Sequence, residues 1–337
     1  QELNPTEEIT ESLLSAMEYS ALGIAQSEFD HDLEEHPENK TTFYCVGYSV
    51  TKYRLDNYES SIIIGHKGKE VTIDLIAAFL PQNVVQNLYA VMTANQLTVE
   101  NLTLEPIAAI NVVVPKDIRL LNIALVDIGA GTSDIAISKD GSIIAYDMVT
   151  TAGDEITEAI MQKCLCNFEN AEKIKMALDT DDSQITYTDI LGNLHKEVKS
   201  KLLKALKPDI KLLSEAIANG ILKANGFAPT AVFLAGGGCQ IPGFCQAIAA
   251  ELKIPFENVA IAGNQTFKNV VVYDKKLQSP EFITPLGIGA MSSIYKGCDF
   301  FSITVNGKKQ MLLNYKESKV LDALLLCSIK PQNLISF

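Results

Sequence analysis

The stretch Ala124-Leu-Val-Asp-Ile-Gly-Ala-Gly-Thr-Ser-Asp-Ile-Ala-Ile137 carries the strongest chemical signal in the chain. An apolar strand delivers Asp127 at its end. Gly129 and Gly131 then let the backbone turn sharply and bring N–H groups close to an anion, Thr132 adds a hydroxyl, and the chain returns as a second strand. A carboxylate repels phosphate, so the natural role of Asp127 is to hold a magnesium ion, directly or through water, that bridges phosphates. Taken alone, the stretch also fits an ordinary glycine-rich hairpin.

Its neighbours favour the phosphate reading. Phe233-Leu-Ala-Gly-Gly-Gly-Cys-Gln-Ile-Pro-Gly243 is a second strand-to-helix turn. Its Gly236, Gly237 and Gly238 suit close backbone approach to a flat ligand with a helix N-terminus behind it, although such turns also arise from packing alone. Between the two lies Glu172-Lys-Ile-Lys175. Three apart on a helix, Glu172 and Lys175 share a face, where a carboxylate accepts from ribose hydroxyls and an ammonium donates to ribose or phosphate oxygens. By itself that pair reads as a surface ion pair.

On either side of these motifs, hydrophobic periodicity predicts a mixed α/β chain. A helix is expected over 5–27, then a charged loop over 27–42. Strands over 43–50, 60–64 and 71–80 and a helix from Pro81 to about 95 make a small β-rich unit closed by a helix. The helix over 104–114 carries Pro106 early, where its missing N–H costs nothing. Strands over 122–126, 133–138 and 143–149 follow, the last two joined by an Asp140-Gly141 hairpin turn. Next come helices over 153–168 and 171–178, then a surface loop or edge hairpin over 179–188. A helix over 208–225 is broken by Gly226, and a buried strand occupies Ala231–Ala235. Helices over Phe244–Leu252 and 285–295 precede a hairpin turning at Asn306-Gly307.

Composition sets the outer limits. A chain of 337 residues implies about two domains, and 47% hydrophobic with 20% charged residues excludes wholesale disorder. The net charge of −13 argues against a nucleic-acid partner, since phosphate contacts need basic patches. No apolar run approaches the ~20 residues of a membrane span. Seven cysteines contain no Cys-x-x-Cys pair and four histidines show no metal spacing, so the expectation is reduced core cysteines in a cytoplasmic protein. Gln1 opens a polar run unlike a signal peptide.

In this order and spacing the motifs resemble the actin/heat-shock-chaperone/sugar-kinase ATPase superfamily. Asp127-Ile-Gly-Ala-Gly-Thr-Ser-Asp134 is similar to its second phosphate motif, and the 234–238 stretch to its adenosine motif. Leu104-Glu-Pro-Ile-Ala-Ala109 and Pro285-Leu-Gly-Ile-Gly-Ala290 look like its two connecting motifs, and Gly153-Asp154-Glu155 resembles its glycine–acidic pair beside the phosphates. The resemblance implies an actin-like (ribonuclease-H-like) two-domain ATPase fold that binds ATP with Mg2+. In it Asp127 positions the metal; Gly129, Gly131, Thr132, Gly153 and Asp154 serve the phosphates; Glu172 and Lys175 hold ribose; Gly236, Gly237 and Gly238 face adenosine. Glu105 lies near the attacking water.

Within that superfamily, Lys67-Gly-Lys-Glu-Val-Thr-Ile-Asp-Leu-Ile-Ala-Ala-Phe-Leu-Pro-Gln-Asn-Val-Val-Gln-Asn-Leu88 resembles the small 1C subdomain of the FtsA family and its PilM-type relatives. The resemblance implies a remnant of the first actin-like domain over 1–41, the 1C (SHS2) subdomain over 42–97 and the remainder of the first domain over 98–120. The second actin-like domain then covers 121–298, and a truncated C-terminal β-grasp-like unit starts at 299 and runs to 337. The superfamily's first phosphate hairpin, Asp-x-Gly-[Thr/Ser], has no counterpart in residues 1–40. The expectation is therefore a piece of a longer protein, binding ATP weakly and hydrolysing it slowly at most. The basic amphipathic helix with which FtsA proteins end is also missing, so any membrane contact runs through partners or absent segments.

Functionally, the resemblance implies an FtsA-like cytoplasmic scaffold in bacterial cell division, brought to the inner face of the membrane only through partners. Nucleotide would control head-to-tail assembly into filaments or recruitment of other division or assembly proteins. A chaperone- or reactivator-type ATPase shares all five motifs, and a PilM-like pilus-assembly docking platform needs none of the nucleotide chemistry. A sugar kinase would need an aspartate base beside a sugar pocket.

Overall fold

The computed structural model describes residues 8–35, 43–60, 63–99, 102–115, 117–263, 267, 270–294, 300–305 and 308–313. The chain divides into one unit over Glu105–Ala290 and another formed by Gln1–Leu104 with Met291–Phe337.

The second of these opens with α1 (Glu11–Glu35), followed by β1 (Phe43–Leu55), β2 (Tyr58–Glu59), β3 (Val71–Pro81) and α2 (Gln82–Ala94). The strands form an antiparallel sheet in the order β2-β1-β3. Asp56 and Asn57, both at positive φ, close the tight turn between β1 and β2 with Leu55 opposite Tyr58. Alternation along β3 sends Val71 and Ile73 into a core with Ile9, Leu14 and Met17, while Ala78 and Leu80 pack with Val85 and Tyr89 of α2. The sheet is thus covered by a different helix on each face. Two expectations differ. Residues 27–35, expected as loop, continue α1, since no breaker occurs before Pro37. Of the strand expected over 60–64, Ser60, Ile63 and Ile64 lie outside strands, since β1 runs on to Leu55 and takes the turn itself, and positions 61 and 62 lie outside the described residues.

The other unit contains α3 (Glu105–Val113), β4 (Ile123–Ile128), β5 (Ser133–Lys139), β6 (Ser142–Val149), α4 (Gly153–Cys164) and α5 (Phe168–Ala177). These are followed by β7 (Gln184–Thr188), β8 (Leu194–Val198), α6 (Lys199–Asn225), β9 (Ala231–Ala235), α7 (Phe244–Leu252), β10 (Val259–Ile261) and the start of α8 (Ile283–Ile294). A five-stranded sheet runs β10-β9-β4-β5-β6, antiparallel through β4, β5 and β6 and parallel from β4 to β9 and β10. Asp140 and Gly141, both at positive φ, make the expected hairpin turn. β7 and β8 form a separate two-stranded hairpin, and β11 (Phe300–Val305) pairs with β12 (Lys308–Leu313) in the N-terminal unit. The Asn306-Gly307 turn lies outside the described residues.

Every residue of β4 is buried, as a central strand covered on both faces requires. Ala124, Val126 and Ile128 enter a core with Ile156, Leu206, Ile217 and Ile248 of α4, α6 and α7, whereas Ile123 and Leu125 join Ile110 and Val113 of α3 and Ile283 of α8. The two-residue period therefore puts Asp127 on the α3/α8 face.

Helix α6 begins at Lys199, nine residues ahead of the expected start at Pro208, which sits inside the helix. The proline is tolerated because Pro208 and Lys204, whose carbonyl loses its donor, are exposed to water, while Leu202, Leu206, Ile210, Leu213, Ile217 and Ile221 make one continuous buried stripe. Helix α4 stops at Cys164, earlier than expected, with Leu165 in the left-handed region; Asn167 then caps α5 by accepting from the Asn170 amide.

Helices α3 and α8 cross in backbone contact: a Cβ on Gly287 would lie 2.3 Å from the Ala108 carbonyl oxygen. Gly287→Ala is expected to destabilise this unit by about 1–3 kcal/mol, as overpacking does, read as a lower denaturation midpoint at unchanged m-value. An unchanged midpoint would show that the crossing can spread without cost.

Candidate functional site

The turn between β4 and β5 is held by a Gly129 N–H bond to the Thr132 carbonyl (3.0 Å). Gly129, Ala130 and Gly131 are exposed, and among the described residues the Ala130 and Gly131 amides donate to nothing. Consecutive unpaired amides in a turn form a concavity suited to an anion. The N-terminus of α4 supports this turn from behind: the Gly153 amide bonds Gly129 O at 3.0 Å and the Asp154 amide bonds Ala130 O at 2.8 Å. Those two amides are engaged by the turn itself, so Gly153 and Asp154, which the resemblance sets beside the phosphates, brace the loop through their backbone.

The turn after β9 presses onto the same strand end. Gly236, at φ 81°, donates to Pro280 O, and a Cβ there would lie 2.3 Å from Ile128 O and 2.4 Å from an Asp127 carboxylate oxygen. A Cβ on Gly238 would lie 2.5 Å from Ile128 Cγ2. Both glycines are buried. Gly237 is exposed, and a Cβ on it would meet nothing within 4 Å, so it is the member of the triplet that can meet a ligand.

Glu172 and Lys175 form an ion pair of 2.5 Å on α5, with side chains 27% and 15% exposed. The Lys175 ammonium also donates to Thr157 Oγ1 (2.7 Å) and to Gly153 O (3.2 Å), and the Thr157 hydroxyl donates to Glu172 Oε1. A Cβ on Gly153 would lie 3.4 Å from Lys175 Nζ and 3.6 Å from Gly238 Cα. Gly153 therefore joins the β4–β5 turn, the glycine triplet and the α5 pair into one continuous surface.

The third component is acidic. Asp127 on β4 and Asp134 on β5 are register partners, and Thr284 of α8 donates its hydroxyl to Asp127 Oδ2. Burial pushes the Asp127 carboxyl above the usual range, against the Thr284 bond that favours its ionised form. Asp134 is raised by burial and then by the Asp127 charge, Glu105 by lost hydration and then by Asp134 and Asp127. Asp134, Thr157 and Thr284 were not singled out in the sequence. Asp134 sits inside the quoted motif, but only the hairpin register brings it opposite Asp127.

The donor set fits a magnesium ion held mainly by water and phosphate. Among the described residues no three His, Cys, Asp or Glu are gathered closely enough to hold a metal alone, and Mg2+ commonly uses only one or two carboxylates plus substrate phosphates. Mutual repulsion of Asp127, Asp134 and Glu105 is the electrostatic strain that a bound divalent cation would relieve.

A pH dependence follows. The native state binds these three protons more tightly than the unfolded chain, so stability falls as pH rises from the ordinary carboxylate range of about 4 through the elevated native values. Asp134→Asn is expected to flatten this decline in urea titrations between pH 4 and 8 (about four units, spanning carboxylate ionisation). An unaltered slope would exclude charge crowding at this position.

The sheet order, the crossing helices and the glycine turns define the actin-like ATPase fold, and the solved PilM-PilN type IV pilus biogenesis complex shares it. The match has a TM-score of 0.56 at 16% identity, covering 86% of this chain and 75% of that one. The model of the family "Cell division protein FtsA" matches residues 124–287. FtsA of Bacillus subtilis strain 168 is 23% identical over 217 residues, 61% of this chain and 47% of the relative; FtsA of Pseudomonas aeruginosa is 31% identical over 125 residues, 37% and 30% respectively. The chain is a member of the actin-like ATPase superfamily, close to FtsA. It spans about half the length of the FtsA of Bacillus subtilis, and less of the Pseudomonas protein. No helix among the described residues is long and apolar enough to cross a membrane.

Proposed function

We propose that the chain is the nucleotide-binding part of an FtsA-like scaffold of bacterial cell division, working in the cytoplasm. Bound Mg·ATP favours a form that joins further copies head to tail or recruits other division proteins. The observation that carries this reading is the continuity of the exposed β4–β5 turn, Gly153, the Gly236–Gly238 triplet and the Glu172–Lys175 pair beside Asp127. In this reading Asp127 holds the metal, and Gly129, Gly131 and Thr132 bind phosphate while Gly153 and Asp154 brace them. Glu172 and Lys175 serve ribose, the glycine triplet borders adenosine, and Glu105 orients water for at most slow hydrolysis. The ion, when bound, neutralises phosphate charge.

Sedimentation velocity tests it. The 337-residue chain is expected to form larger species with Mg·ATP that dissolve on chelation, and a distribution indifferent to nucleotide would contradict nucleotide control.

A second reading has its own observation. On α2, Val84, Leu88 and Val91 are 40%, 45% and 57% exposed along one helical face. A PilM-like platform that docks a partner on this face predicts that Leu88→Asp abolishes partner capture and leaves nucleotide affinity unchanged; loss of both would point instead to a folding defect.

A further inference from the structure

Helix α6 carries a charge excess that the nucleotide site does not use. In a chain of net charge −13, residues 196–211 hold six lysines against Glu197 and Asp209. Lys204, Lys207 and Lys211 stand three and four residues apart, all exposed, on a face turned away from the buried stripe of Leu202, Leu206 and Ile210. Like charges at these spacings repel one another along a helix. The carboxylates nearby are already committed: Asp209 to Lys163 at 2.7 Å, Glu197 to Lys201 at 3.1 Å and Glu215 to Lys211 at 3.3 Å. Lys204 and Lys207 have no ion pair or hydrogen bond among the described residues.

The same unit holds the opposite charge between α5 and β7, where Asp179-Thr-Asp-Asp182 is exposed at every position. This turn is fixed by its own backbone and by the start of α6. The Asp179 amide donates to Met176 O (3.2 Å), the Thr180 hydroxyl to Ala177 O (2.9 Å) and the Lys199 amide to Ser183 O (3.0 Å). Lys199 also gives its ammonium to the Thr180 carbonyl, which leaves the Asp181 and Asp182 carboxylates without a cation among the described residues.

We infer that the Lys204–Lys207–Lys211 face is a docking surface for the Asp179–Asp182 turn of a second copy of the chain. The inference rests on the self-assembly part of the reading above and names the two surfaces that meet. Charge complementarity selects the occupant: two excesses of opposite sign sit on one unit, each left unneutralised in the single chain and each carried by ordered backbone. Face and turn are different surfaces, so each copy offers one to either neighbour, a heterologous contact that extends into a row. Exposed ion pairs are individually weak. A single junction is therefore loose and salt-sensitive, and it gains strength where many copies are already aligned.

The test is sedimentation velocity of the 337-residue chain, with and without Mg·ATP, at about 0.05 M and about 0.5 M salt, between which the screening length falls from about 14 Å to about 4 Å. Self-association of the wild-type chain is expected to weaken by at least about tenfold at the higher salt, the effect of losing a few exposed ion pairs. Lys204→Glu with Lys207→Glu should weaken it as much at low salt, and so should Asp181→Lys with Asp182→Lys. An equimolar mixture of the two variants should associate again, since each then meets the opposite charge on the other. All four positions are exposed, so the denaturation midpoint and the affinity for Mg·ADP should stay as in the wild type. Lys204→Gln with Lys207→Gln repeats the measurement should the acidic variant fail to fold. Variants that stay apart when mixed, or assembly that no reversal weakens, would overturn the docking surface and leave nucleotide-controlled assembly standing. A wild-type chain that stays monomeric in every condition would overturn both. One that instead sediments with phosphatidylglycerol vesicles through Lys204 and Lys207 would overturn the inference by giving the face to a lipid surface.

Discussion

Replacing Asp127 by asparagine should make the nucleotide-free unit more stable and abolish its stabilisation by Mg·ADP. The two effects have one origin. Asp127 is 8% exposed, its carboxyl is held above the usual range by burial, and Asp134 is its register partner across the hairpin, so its negative charge is costly to hold in the folded unit. Asparagine keeps an acceptor for the Thr284 hydroxyl and removes the charge. That charge is also what would hold a cation at the phosphates. A ligand present at a hundred times its dissociation constant stabilises by about 2.7 kcal/mol, and the variant is expected to lose essentially all of this. Thermal denaturation with and without Mg·ADP reads both numbers. A variant that is less stable alone yet still stabilised by Mg·ADP would remove Asp127 from the metal role.

The largest effect on folding is expected at Gly236. Any side chain there meets Ile128 O at 2.3 Å and an Asp127 oxygen at 2.4 Å, and φ of 81° adds strain. The first obstruction is backbone of a fully buried central strand, which cannot swing aside as a side-chain tip could. Gly236→Val should cost at least about 3 kcal/mol, a large share of the 5–15 kcal/mol that holds a typical domain together. Gly237→Val is the control. That position is exposed, a Cβ there would meet nothing within 4 Å, and its φ is not positive, so its stability should stay within about 0.5 kcal/mol of wild type. On the proposed reading it should nevertheless weaken nucleotide binding by crowding the side of the site assigned to adenosine. Denaturant midpoints for the pair decide the matter: equal losses at 236 and 237 would mean that the triplet is not divided between packing and ligand.

The two glycine turns were legible in the sequence because their signals are local. Asp127 at a strand end, followed by Gly129 and Gly131, and Gly236–Gly238 after a short apolar strand announce sharp turns without reference to the rest of the chain. The Asp140-Gly141 turn was legible for the same reason. Local signals do not say which glycine packs and which faces outward, since that depends on where β4 lies against β9. Nor do they reveal Thr157, Thr284 or the role of Asp134, whose partners stand respectively 15, 157 and 7 positions away in the chain. Helix limits failed where tertiary packing outweighed a local rule. Pro208 is a breaker by propensity, but the buried stripe from Leu202 to Ile221 carries α6 through it. Asn167 was a cap hidden within a run that periodicity alone read as continuous helix.

Magnesium-dependent nucleotide binding is read most directly by calorimetric titration of Mg·ADP into the 337-residue chain, repeated with magnesium omitted and with Asp127→Asn. The expected result is saturable binding at about one nucleotide per chain, weakened by at least about tenfold without magnesium and in the variant, as for a metal bridging carboxylate and phosphate. Binding that is indifferent to magnesium and to Asp127, or no saturable heat at any concentration, would contradict it.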